Sequence, residues 1–96
     1  MGETYPAGNA PLGYEQLDVS TVTKVLVAVP ANVKRAEIVI EDNDMRYRTD
    51  GTAPDAATGT LIKKNVPFAL YGSLTINSVQ FIRVSGDGKV SVNYYG

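Results

Sequence analysis

Apolar side chains recur every second residue along this chain, in runs of four to nine residues, and every run is cut off by Gly, Pro or Asx. That spacing selects strands, because a strand turns successive side chains to opposite faces whereas a helix repeats every 3.6 residues. In the run 21–29, Val25, Val27 and Val29 face one way while Leu26 and Ala28 face the other, so a strand there is apolar on both sides near its end. Pro30-Ala31-Asn32 breaks it. Ala36, Ile38 and Ile40 then alternate with Glu37 and Glu41, and after Asp42-Asn43 the residues Met45 and Tyr47 alternate with Arg46 and Arg48. Two alternating runs about a tight Asx-rich connection predict a hairpin.

Residues 50–59 carry Asp50-Gly51, Pro54 and few large apolar groups, and read as a surface loop in which Gly51 takes positive φ. Short strands follow at 60–63 and 68–71, with a third at 74–76. The runs 79–84 and 89–95 are stronger, and Ser85-Gly86-Asp87-Gly88 between them predicts a second hairpin. No window holds a helical stripe, and 32–37 is the one place with room for a helical turn. The pattern therefore predicts an all-β fold, a small β-sandwich or jelly-roll-like barrel of about seven or eight short antiparallel strands. Residues 1–14 contain two prolines and no alternation, and are expected to form an extended N-terminal arm ahead of a single domain, 15–96. The arm is either a frayed terminus or a strap that orders on another protein through Tyr5, Leu12 and Tyr14.

Composition removes most catalytic chemistry. With no His and no Cys in 96 residues, the chain cannot build a Ser-His-Asp triad, a thiol nucleophile, a disulfide or an ordinary zinc or haem site. The expectation is a protein that is not an enzyme and takes no cofactor. Nine Lys+Arg against ten Asp+Glu leave a net charge of -1, which gives no pull toward nucleic acid or anionic lipid. No apolar run approaches the roughly 18 residues of a membrane span, and no basic-then-apolar leader opens the chain.

Four clusters invite a sharper reading. Asp42, Asp44, Asp50 and Asp55 supply oxygen ligands of the kind calcium takes, but they lack the EF-hand spacing and each adjoins a turn, where Asp is an ordinary choice. The same acids lack the cleft and the aromatic platform of a glycosidase pair. Arg46 and Arg48 flank Tyr47 and so resemble a phosphate-contacting strand, yet Glu41, Asp42, Asp44 and Asp50 cancel their field. Cross-strand ion pairs on a solvated or interfacial face account better for them. Lys63-Lys64 reads as a guard on an edge strand. Tyrosine, present six times against two Phe and no Trp, suits contact surfaces because it joins a large ring to a polar tip. Tyr94 and Tyr95 must face opposite ways in a strand, so one at most is core and the other is exposed or interfacial.

Val29-Pro30-Ala31, the run 36–41, the series Arg46-Tyr47-Arg48-Thr49-Asp50-Gly51-Thr52-Ala53-Pro54, Thr58-Gly59-Thr60-Leu61, and the closing runs 81–86 and 90–95 resemble small structural proteins of tailed bacteriophages. The resemblance spans 21–95 and leaves out the arm. It implies a virion component, made in the host cytoplasm and placed on the capsid exterior as a decoration or cement protein. Its partners would then be the major capsid protein and copies of itself, with a trimer favoured by the three-fold sites of a capsid. The alternative it leaves open is a receptor- or glycan-binding module, or a structural part, of the tail, neck or fibre. In either setting the candidate interface residues are Tyr5, Leu12, Tyr14, Arg46, Arg48, Tyr94 and Tyr95.

Overall fold

In a computed structural model, which describes residues 9–96, alternation becomes two facing sheets. The strands are β1 (Pro11–Val19), β2 (Lys24–Val25), β3 (Arg35–Glu41), β4 (Met45–Arg48), β5 (Thr60–Ile62), β6 (Phe68–Tyr71), β7 (Gln80–Arg83) and β8 (Gly88–Tyr95), with one short helix, α1 (Ser73–Ser78), before β7. One sheet has the order β1-β8-β3-β6 and the other β2-β7-β4-β5, and every pairing is antiparallel. The pairs nest: β1 with β8, β2 with β7, β3 with β6, and β4 with β5. The protein is thus an all-β sandwich.

Strict alternation marks the two central strands of the first sheet. Ala36, Ile38 and Ile40 on β3 and Val90, Val92 and Tyr94 on β8 point inward and are fully buried, while their neighbours face out. Met45, Ile62 and Phe81 answer from the second sheet, and Val33, Ile76 and Val79 fill the ends. Tyr47 on β4 joins the layers directly, stacking on Phe68 of β6 at 5.4 Å between ring centroids and tilting against Phe81 at 6.4 Å. Rings at such separations add to the gain from burial alone.

Both predicted hairpins are overturned. β3 and β4 lie in different sheets, as do β7 and β8, so each tight connection is a corner that carries the chain from one layer to the other. The two corners lock together. Asn43 donates from Nδ2 to the Asp87 carbonyl at 2.8 Å, and Asp42 takes φ 78° to make the bend. Gly88 is buried against the first corner: a Cβ there would stand 2.5 Å from the Glu41 carbonyl oxygen and 2.8 Å from Met45 Cε.

Three further expectations fail. The run 21–29 pairs only at Lys24–Val25, because the chain leaves the edge of the second sheet after two residues and turns toward β1, leaving Val22, Val25 and Val27 exposed. Residues 74–76 lie in α1 rather than a strand. Pro11 to Tyr14, assigned to an arm without means of joining its own sheet, open β1 and pair with β8 from Pro11↔Tyr95 onward. Of the arm only 1–8 falls outside the described residues, and Tyr5 with it. The loop 50–59 is a loop, and Gly51 has φ +83° as its turn requires.

Gly88→Ala should lower stability by about 1–3 kcal/mol, since the new methyl meets backbone that cannot swing aside. Thermal melting of that variant checks it, with a drop of roughly 4 °C or more expected for a domain of this size.

Candidate interaction surfaces

Among the described residues, Glu15 is the one charged residue drawn into the body, at 8% exposure. It comes from β1, on the face that also carries Leu17 and Val19, and it receives three donors. The Tyr94 hydroxyl donates to Oε1. The Ala28 amide donates to the same oxygen at 3.0 Å, and the Val27 amide donates to Oε2 at 3.2 Å. A buried carboxylate is tolerable only when its lone pairs are so occupied. Burial first, and then the hydrogen bond to Glu15, pushes the Tyr94 phenol well above its ordinary value, so it remains a donor. One side chain therefore ties β1 to β8 and holds the connection between β2 and β3 against both.

The candidate residues divide between opposite faces. The outer face of the first sheet carries Tyr14, whose hydroxyl lies 3.4 Å from Ser91 Oγ, with Gln16 Nε2 reaching the same oxygen at 3.2 Å. Farther along, Tyr95 lies half-buried under the Arg35 guanidinium, which stands 4.1 Å from the ring centroid. Arg35 also pairs with Glu37 at 2.9 Å, and Tyr71 stands beside it on β6 with 68% of its surface open. Leu12 is partly exposed and leans on Gly96. Tyr94 is removed from the candidates: its ring is core and its hydroxyl is committed to Glu15. The pair divides as strand alternation demands, Tyr94 in and Tyr95 out.

Arg46 and Arg48 face outward on the second sheet, with Tyr47 behind them in the core. Among the described residues neither makes a cross-strand ion pair. Arg46 donates to the carbonyls of Ala56 and Gly59 at 3.0 and 2.9 Å, pinning the 50–59 loop over its own sheet. Arg48 pairs two residues along its own chain with Asp50. The aspartates are spent the same way. Asp44 accepts from the Lys64 amide at 2.9 Å and from Lys63 Nζ at 3.3 Å, and Asp55 accepts from the Ala57 amide at 2.8 Å. No three acids converge on a metal position among the described residues.

Three concave places on the described surface bear on these residues, one of them a polar hollow of about 430 Å³ among Arg48, Asp50, Thr58 and Thr60. A cleft of about 400 Å³ lies at the corner end, among Asp18, Lys24, Asp42, Asp87 and Lys89. An apolar groove of about 300 Å³ runs between the edges of β5 and β6, floored by Tyr47 and Phe68 and rimmed by Leu61 and Val66. Sequence reasoning missed Glu15, Val27, Tyr71 and Leu74. Only Tyr71 had a signal, as one of the tyrosines; Glu15 depends on the β1–β8 register, and Val27 and Leu74 on where the segments between strands pack.

Glu15→Ala leaves a phenol and two amides without their acceptor and should cost about 2–4 kcal/mol, with Tyr94→Phe costing about 1.5–3 kcal/mol. Because both remove one shared bond, the double variant should cost less than the two together, and denaturant unfolding of the cycle measures the shortfall. A second expectation concerns acid. The Lys64 amide lowers the Asp44 carboxyl, the Arg48 guanidinium lowers Asp50, and the Ala57 amide lowers Asp55, each below the ordinary 3.8. A carboxyl lowered on folding stabilises the folded state above its unfolded value and loses that contribution as pH falls through the folded one. Stability from these three should hold steady above about pH 5 and fall below about pH 4, and Asp44→Asn should flatten the fall in a pH series of melts. No family model, no curated protein and no solved structure matches this chain.

Proposed function

We propose that this chain is a non-enzymatic structural protein of a bacteriophage particle, a decoration or cement protein that binds over the junctions between shell subunits. The observation that carries the reading is the nested strand order. Pairs 1·8, 2·7, 3·6 and 4·5 wound across two sheets fit the nesting of a jelly roll, an architecture that recurs in viral shell domains. The mechanism is mechanical. A stiff sandwich with locked corners bridges neighbouring subunits, and contacts made at once by several copies slow detachment far beyond what one contact gives. A homo-oligomer fits this task, with a trimer favoured, since β1, β2, β5 and β6 leave four sheet edges for assembly to cover.

A second reading rests on the outer face of the first sheet, where Tyr14, Tyr71 and Tyr95 share a surface with Gln16 and Asn93. Tyrosine rings among amide side chains also suit a receptor- or glycan-binding module of a tail or fibre. Copy number separates the two. Mass spectrometry of purified particles should find hundreds of copies for a shell protein, on the scale of the shell lattice itself, whereas a dozen or fewer assigns the chain to tail, neck or fibre. Sedimentation at micromolar concentration that finds only monomer removes the oligomer from the account.

A further inference from the structure

We infer that the apolar groove between β5 and β6 receives the stretch 25–29 of a second copy of this chain. The inference rests on the homo-oligomer of the reading above and names the contact that builds it. The two sides of the sandwich are closed differently. On the side of β1 and β2 the gap between the sheets is covered by 26–29, whose Leu26 and Val29 pack on the core while Glu15 accepts from the Val27 and Ala28 amides. On the side of β5 and β6 a groove of about 300 Å³ stays open. Its floor is Tyr47 stacked on Phe68, and Leu61 and Val66 stand exposed along its rim.

The stretch that closes the first side also displays what the second side lacks. Val25 and Val27 are exposed, Val27 with 78% of its surface open. No charged residue occurs from Val25 to Val33. The groove is equally free of charge that docking would strand. Lys63 is the one charged residue lining it, and its ammonium is drawn to Asp44 at 3.3 Å. With apolar side chains on both surfaces, burial gains the hydrophobic term without desolvating an ion. β2 and β5 are also the two free edges of one sheet, so a copy seated there brings unpaired backbone to unpaired backbone. The stretch is ordered before it docks, because Glu15 fixes it on folding, and that lowers the ordering cost of binding.

Shape and charge set the other occupants aside. A polyanion needs cations, and the groove's one lysine is already committed. Groove on groove would set two concavities face to face and fill neither. The edge of one copy in the groove of the next joins unlike surfaces that lie at opposite edges of the same sheet. Every pair so formed keeps one free edge and one free groove. Repeated through a rotation the contact closes as a ring, and without closure it runs on as a filament.

Sedimentation of the full chain across a concentration series tests this with two variants, Val25→Asp/Val27→Asp at the edge and Leu61→Asp/Val66→Asp at the groove. All four positions are exposed, so both variants should melt like the parent. Each alone should associate at least tenfold more weakly than wild type. Mixed one to one they should form a dimer and stop there, since one still offers a groove, the other still offers an edge, and the remaining two surfaces are blocked. If wild type associates and neither variant weakens it, the contact is wrong while the oligomer stands. If only one variant weakens it, the two surfaces do not meet, the groove is left to residues 1–8 or to a different protein, and the inference is overturned. If both weaken it but the mixture stays monomeric, the contact joins like surfaces and the inference is again overturned. Wild type that stays monomeric throughout removes the oligomer, and this contact with it. Should a variant unfold, serine at the same positions, which removes the apolar groups without adding charge, decides by the same mixing.

Discussion

Everything at the edge of this sandwich depends on a carboxylate drawn largely out of water. Glu15 faces inward because β1 pairs with β8 in a register that sets it on the side of Val92. Once inside, its oxygens must be met by donors, or the fold loses more than it gains from β1. Tyr94 meets one from the neighbouring strand. The other donors are the Val27 and Ala28 amides, from a stretch that makes no ladder there. A segment with strong strand character is thereby taken off the second sheet after two residues and fastened across the gap between layers. Val25 and Val27 are left facing out, while Val29 packs against the core.

That same interaction explains what the sequence shows and what it hides. The central strands β3 and β8 are legible because one face is wholly apolar and the other polar, so period two survives intact. β1 is hidden because its inward set is Gly13, Glu15, Leu17 and Val19, and a carboxylate where a core residue belongs erases the alternation. In 21–29 the error runs the other way: apolar residues on both faces announce a buried strand, yet the donors needed by Glu15 decide where the chain goes. The corners show a different limit. Asp42-Asn43 and Ser85-Gly86-Asp87-Gly88 state that the chain turns, but not whether it turns within its sheet or crosses to the other. What decides is the packing of one corner on the other, seen in Asn43 against Asp87 and in the absence of room for a side chain at Gly88.

The candidate surfaces follow a similar division. Tyrosine and arginine were the right residues to follow, but geometry redistributes them. Tyr94 serves the core, Arg46 serves a loop, Arg48 serves its own turn, and Tyr14 and Tyr95 remain on a face that Tyr71 joins. The two ends of the sandwich then differ in kind. Short corners carrying Asp42, Asp44, Lys63, Lys64 and Asp87 close one end, while the longer connections at the other carry Lys34, Asp50 and Asp55.

The central claim is that Glu15 holds the β2–β3 connection in place, and native-state hydrogen exchange read residue by residue tests it most directly. The Val27 and Ala28 amides lie outside any ladder, so an ordinary exposed loop would leave them unprotected. The account predicts slow exchange at both in the wild type, comparable to the amides of β8, and rapid exchange at both in Glu15→Ala while β3 stays protected. Fast exchange of Val27 and Ala28 in the wild type, with β1 and β8 still slow, would contradict it.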